Sequence, residues 1–211
     1  MASGSGVEVE RIARGPWGSN CYAVHDGHRA LVVDPGGDAA EILRSLEERS
    51  LVLAGMVATH GHFDHVMAAA ALTDATGYPL MVSAADEPML AAGNLHSLVT
   101  GFGRPITRPP RVIDLDDRAR PALPFDPVVM VTPGHTPGSR CLRVGPALFT
   151  GDTLLARGTA DSHLPGADPE ALARTLRVLG DLPEPDSVTL YPGHGEPCTL
   201  GEGLANAHRS P

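Results

Sequence analysis

The chain has 211 residues, 42% of them apolar and 19% charged, with a formal net charge of −9. That composition excludes a mainly disordered chain, and an acidic surface whose only strong bases are scattered Arg, with no Lys, disfavours nucleic acid as a partner. No apolar run is long enough to span a membrane, and the opening Met-Ala-Ser-Gly-Ser-Gly has neither a basic region nor an apolar stretch, so a cytoplasmic protein with no membrane partner is expected.

Length predicts one domain over 1–211, able to bury about 70% of its unfolded surface without a disulfide or a structural metal. The three cysteines, Cys21, Cys141 and Cys198, are odd in number and far apart, which argues for a reducing compartment and for packing roles.

Val7–Ala13 alternates and is expected as a strand. Asn20–His25 and Arg29–Asp34 flank Asp26-Gly27, a hairpin signal. Asp38 stands where a cap belongs, ahead of a helix to about Ser50 with Ile42, Leu43 and Leu46 on one face. Val52–Ala58 is a continuous apolar run, as in a strand buried on both faces. A helix over about Asp64–Thr76, a strand over Pro79–Ser83 and a short helix over Ala84–Ala91 follow. Gly93–Pro110, rich in Gly, Pro and Arg, is expected as a long loop, and such loops are usually functional. Strands are expected near Arg111–Leu115, Val128–Thr132, Ser139–Val144 and Ala147–Thr150. Then come a helix over about Asp168–Leu179, a core strand over Ser187–Tyr191 and a helical tail over Gly203–His208. This order implies an α/β or α+β protein with two sheets covered by helices.

Thr59-His60-Gly61-His62-Phe63-Asp64-His65 stands at the end of the buried run. His60 and His62, two apart in extended chain, point to one side. Gly61 permits a tight turn between them. Asp64 and His65 fall at the start of the next helix. Neutral imidazole and carboxylate are the donors a divalent metal takes.

Three further segments share a pattern of strand end, Gly, then His or Asp. They are Thr132-Pro133-Gly134-His135-Thr136-Pro137-Gly138, Phe149-Thr150-Gly151-Asp152-Thr153 and Tyr191-Pro192-Gly193-His194-Gly195. A lone loop His is usually unliganded. The repetition is what predicts that these side chains meet at one edge. No Gly-x-Ser-x-Gly elbow, phosphate loop or Gly-x-Gly-x-x-Gly stretch offers a competing chemistry.

These segments, from Val32-Val33-Asp34-Pro35-Gly36-Gly37 to Gly193-His194-Gly195, resemble the metallo-β-lactamase superfamily. The resemblance implies a four-layer αββα sandwich with a metal site at one edge. It implies a first metal on His60, His62 and His135, a second on Asp64, His65 and His194, and Asp152 bridging them. Asp34 and Thr59 would stand behind the ligands and orient them. Two divalent ions, zinc foremost, suit this donor set, and iron or manganese would also fit.

Within the superfamily the chain is similar to the glyoxalase II-like thioester hydrolases. Thr132–Ser139, Gly151-Asp152-Thr153-Leu154, Leu164-Pro165-Gly166 and Tyr191–Gly195 carry that likeness. It departs from the branch at Ala160-Asp161-Ser162-His163, where a Gly-Arg-x-Asp piece is common, and it ends soon after His194 without a helical domain for glutathione. The implied activity is hydrolysis of a small thioester or ester by a dinuclear-metal hydroxide, with Asp64 and Asp152 as the catalytic carboxylates. A mononuclear-iron persulfide dioxygenase on His60, His135 and Asp152, or a lactonase, is the alternative. Arg157, His163 and Tyr191 are candidates to touch substrate, and His96, Phe102 and Arg104 to form a wall or lid.

Overall fold

A computed structural model describes residues 6–99, 101–160 and 166–208, and all of these but His96 with their side chains. The first half of the chain runs β1 (Glu8–Arg14), β2 (Asn20–His25), β3 (Arg29–Val33), α1 (Ala39–Glu48), β4 (Val52–Val57), α2 (Phe63–Val66), α3 (Ala69–Thr76), β5 (Leu80–Val82), α4 (Glu87–Val99) and β6 (Val112–Asp114). The second half runs β7 (Val128–Val131), β8 (Arg140–Val144), β9 (Ala147–Gly151), α5 (Pro169–Gly180), β10 (Thr189–Pro192), β11 (Cys198–Thr199) and α6 (Leu200–Ala207).

Strands β1 to β6 form one sheet in chain order, antiparallel through β3 and parallel from β3 to β6. The other sheet has the order β11-β10-β9-β8-β7, with β9 and β10 parallel. Side-chain alternation along each strand sorts residues into three cores. Ala23, Ala30, Val32 and Met56 face Ile42 and Leu46 of α1, Leu72 of α3 and Leu90 of α4. Tyr22, Leu31, Val33 and Val57 face Leu142 and Phe149 between the sheets. Cys141, Leu148 and Leu190 face Leu179 of α5 and Leu204 of α6. Three cores separate four layers, so the architecture is an αββα sandwich. No helix of the described residues is long and apolar enough to cross a membrane.

The expected caps are in place. The Asp38 carboxylate accepts from Ala40 N and Glu41 N, and Asp168 accepts from Ala171 N. Three expectations need correction. The helix over Asp64–Thr76 is two helices. Ala68 N donates to Pro35 O, and Asp64 O accepts from Ser19 Oγ, so two partners of a continuous helix are taken by neighbouring loops. The short helix expected to end at Ala91 runs to Val99, so only the part of Gly93–Pro110 beyond it is irregular. Gly93 does not break this helix; a Cβ there would meet Ile106 at 3.2 Å, so the glycine is a packing notch. The tail helix starts at Leu200, not Gly203, behind a capping box of Thr199 and Glu202. The two-residue β11 carries no sequence signal.

Candidate metal centre

Strands β4, β9 and β10 deliver their chain ends to one edge of the sandwich. The chain leaves β4 through Ala58 and Thr59 into His60, leaves β9 into Asp152 and leaves β10 into His194. The turn between β7 and β8 brings His135. The two sheets are stitched together here, since Arg140 N donates to Thr59 O at 2.8 Å and Asn20 N to Gly193 O at 2.7 Å. The Tyr22 hydroxyl and Asn20 Nδ2 both donate to Pro192 O, which fixes the loop carrying His194.

All seven predicted donors meet at this edge. His62 Nδ1 is 3.1 Å from His60 Nε2 and 3.0 Å from His135 Nε2. His65 Nε2 is 3.5 Å from both Asp64 Oδ2 and Asp152 Oδ1. His194 Nε2 lies 3.3 Å from Asp64 Oδ2 and 3.5 Å from Asp152 Oδ2. Asp152 Oδ2 is also 3.6 Å from His135 Nε2, so this carboxylate faces both groups of histidines. Donor atoms of His60, His62 and His135, of His60, His65 and Asp152, and of Asp64, His65 and His194 each fall within 4.8 Å of one another.

The donors fit a cation. His65 Nε2 and Asp152 Oδ1 are buried, face each other, and have no hydrogen bond. Buried polar atoms are rarely left so, and a bound ion is a standard reason when they are. Burial, reinforced by the neighbouring imidazoles, pushes the His60 pKa well down and that of His135 to about 3, so both rings are neutral and offer lone pairs. Burial raises the Asp152 pKa. Burial also opposes charge on His65, yet the Asp64, Asp152 and Asp34 carboxylates raise its pKa to about 10. Asp64 is likewise buried, yet His65 and His194 hold its pKa at about 2. A pocket this rich in carboxylate calls for positive charge, which a divalent cation supplies more fully than one proton.

Asp34 and Thr59 set which ring nitrogens face inward. Asp34 accepts from Thr59 N at 2.7 Å and from Thr59 Oγ1 at 2.9 Å. It also lies 3.1 Å from His65 Nδ1. Thr59 Oγ1 is 3.1 Å from His60 Nδ1. With protons on both Nδ1 atoms, both Nε2 lone pairs point into the cluster. Asp34 itself sits at φ +53°, a left-handed backbone that Asp tolerates better than most residues.

The remaining predicted residues lie apart. The Tyr191 ring stacks on Phe149 and meets Tyr22 edge-on in the core between the sheets. Arg157 is exposed at a tight turn closed by hydrogen bonds between Leu155 and Gly158. His163 and the side chain of His96 lie outside the described residues.

Sequence reasoning missed Asp86. Its fully buried carboxylate accepts from Gly61 N at 2.8 Å, Gly138 N at 2.7 Å and Thr136 Oγ1 at 2.7 Å, joining the His60–His62 loop to the His135 loop. A Cβ on Gly138 would overlap this carboxylate. Asp86 reads in sequence as an ordinary acidic residue near a helix start, so only the glycines it serves could have signalled it.

The family model described as the metallo-beta-lactamase superfamily matches residues 14–194. A Haemophilus influenzae protein named hydroxyacylglutathione hydrolase GloC is 30% identical over 206 residues, spanning 93% of this chain and 94% of its own. The crystal structure of TTHA1623 in a di-iron-bound form superposes with a TM-score of 0.79 at 33% identity, covering 92% of this chain and 96% of that one. That of the BLEG-1 B3 metallo-beta-lactamase superposes with a TM-score of 0.81 at 30% identity, covering 94% and 97%. With its αββα layers, its edge cluster of His and Asp and this match over most of its length, the chain belongs to the metallo-beta-lactamase superfamily.

Proposed function

We propose that the protein is a cytoplasmic metal-dependent hydrolase of small thioesters or esters, holding two divalent cations, zinc foremost. The observation that carries this reading is that seven His and Asp side chains converge, with Asp152 facing both groups of histidines. His60, His62 and His135 would hold one cation, Asp64, His65 and His194 the other, and Asp152 would touch both. Bound there, two divalent cations supply Lewis acidity and lower the pKa of a water to about 7.

The chain's own part is to present its donors without rearrangement. Asp34 and Thr59 hold His65 and His60 in the right tautomers. Asp86 holds the loops that carry His60, His62 and His135. Asp64 and Asp152 are the catalytic carboxylates of this reading, since each keeps oxygens toward the cluster that can orient a water and accept its proton in a hydrogen bond. Cysteine nucleophiles are disfavoured, because burial pushes the Cys141 thiol up to about 12 and raises the Cys21 thiol well above its ordinary value.

Similarity to the Haemophilus influenzae hydroxyacylglutathione hydrolase supports thioesters as the substrate class. Three free cysteines suit a reducing compartment. The test is a panel of acyl thioesters followed by release of free thiol, beside lactones and a persulfide with oxygen uptake. Thiol release that is abolished by a chelator and restored by zinc is the expected result. Oxygen uptake on the persulfide with no thioester turnover would overturn the reading in favour of a persulfide dioxygenase.

A further inference from the structure

A second group of metal-type donors lies at the far end of the first sheet. Glu8 and Glu10 of β1 and His25 of β2 each offer one atom, and the three atoms fall within 4.8 Å of one another. The strand pairing brings them together. Glu8 stands opposite His25 in the antiparallel register, and Glu10, two positions on, shares the face of Glu8. His25 is only 5% exposed, and its Nε2 makes no hydrogen bond to any described residue. That nitrogen is aimed at the carboxylates, 3.5 Å from Glu10 Oε1. Arg49, just past the end of α1, holds the other oxygen, its Nε donating to Glu10 Oε2 at 2.6 Å. Two further bonds, from Arg49 to Ser45 O and Oγ, fix the guanidinium in turn. Glu10 is therefore oriented with Oε1 toward the ring before anything binds. Five steps along β2, about 17 Å at the rise of a strand, separate His25 from Asn20, which bonds the loop of His194.

A buried ring nitrogen without a hydrogen bond calls for a partner, and two carboxylates beside it select a positive one. We propose that Glu8, Glu10 and His25 form a separate binding site for one divalent transition cation of the zinc class, which clamps β1, the edge strand of its sheet, to β2. One imidazole and two carboxylates suit zinc and its neighbours, whereas calcium and magnesium take oxygen donors. With an ion on Nε2, the neutral ring carries its proton on Nδ1. Nδ1 is 3.4 Å from Gly27 N, a contact at the long limit of a hydrogen bond and at an exposed turn, so it is given up at little cost. Three protein donors leave positions for water, and the nearby Arg49 charge opposes the ion. Binding is therefore weaker than at the centre, and the ion has to be added to the purified protein. At its distance from the centre the site stands or falls independently of the hydrolase reading.

Zinc itself is the probe. Protein already loaded at the centre is dialysed against rising free zinc, and the bound metal is counted. One further ion per chain is the expected result. In nitrogen NMR the ring resonances of His25 should move as that ion binds, while those of the centre's histidines stay. The thermal midpoint should rise with zinc concentration, as for any ligand of the folded state, and the same concentration of calcium or magnesium should not raise it. Losing an outer partner of a ligand costs on the order of 10–100-fold in affinity, so Glu8→Gln and His25→Gln, which alter the donors themselves, should each weaken the further ion at least about tenfold. Both variants should keep the metal of the centre. Glu8 is exposed, so Glu8→Gln decides the matter if His25→Gln fails to fold. No further ion, an unmoved His25 ring, or wild-type affinity in Glu8→Gln would overturn the proposal. So would an equal rise of the midpoint with calcium, which would leave a patch of negative charge that selects no metal. If no thioester is cleaved but the further ion binds, the hydrolase reading fails and this site stands.

Discussion

Nδ1 of His65 lies 3.1 Å from the Asp34 carboxylate, and that contact aims the other ring nitrogen, Nε2, at Asp64 and Asp152. Asp34→Asn keeps the shape and the tolerance for φ +53° but loses the negative charge behind the ring. Removing such an outer partner costs metal affinity on the order of 10–100-fold. Titration of the variant with a competing chelator should show a loss in that range with little change in circular dichroism. Unaltered affinity would mean that Asp34 does not serve the centre.

Asp86 should matter more for stability than its place in sequence suggests. Asp86→Ala leaves Gly61 N, Gly138 N and Thr136 Oγ1 without their buried acceptor. At roughly 1–3 kcal/mol for each stranded group, the loss should be about 3 kcal/mol or more. Urea unfolding measures it. A loss below about 1 kcal/mol, the size of a surface change, would show that the two loops hold their places without this carboxylate.

Gly193 faces the cluster just past the end of β10, and a Cβ there would overlap Asp152 Oδ1 and crowd the His65 ring. Gly193→Ala should therefore lose metal and activity while its far-ultraviolet dichroism stays close to wild type. Normal metal content would mean that Asp152 can be displaced at no cost and is dispensable as a ligand.

A pH dependence follows from Asp116. The Arg140 side chain bonds both its oxygens, at 2.8 and 2.6 Å, and holds its pKa below the usual carboxylate value. The group is ionised more readily folded than unfolded. Its stabilisation is therefore present above the ordinary Asp pKa of about 3.9 and is lost as pH falls through the lower folded value. Asp116→Asn should lower the Tm at pH 7, and the gap to wild type should close below about pH 4. Partial exposure of Asp116 and screening keep the effect small. A constant gap across the acid range would show that the pair is not the source.

The centre was legible where its donors are local. Four of them fall within Thr59–His65, and spacing alone marks them. His135, Asp152 and His194 were legible because each follows Gly at a strand end, the place where α/β sheets converge. What escaped is what depends on contacts distant in sequence. Asp86 reaches Gly61 across 25 positions and Gly138 across 52. The break between α2 and α3 comes from Ser19 and Pro35, which nothing in Asp64–Thr76 announces. Gly93 falls in the expected loop rather than in α4 because its packing partner, Ile106, lies beyond the end of that helix. The start of α6 is carried by the capping pair Thr199 and Glu202, three positions ahead of the expected Gly203.

A centre of two divalent cations on seven side chains would be read out by elemental analysis of the purified protein. About two metals per chain, mostly zinc, are expected, with most of the metal and activity lost in His62→Ala and in Asp152→Ala. A chelator should strip metal and activity but leave the fold, since three apolar cores stand without the centre. About one iron per chain with little zinc, or full metal content and activity in either variant, would contradict it.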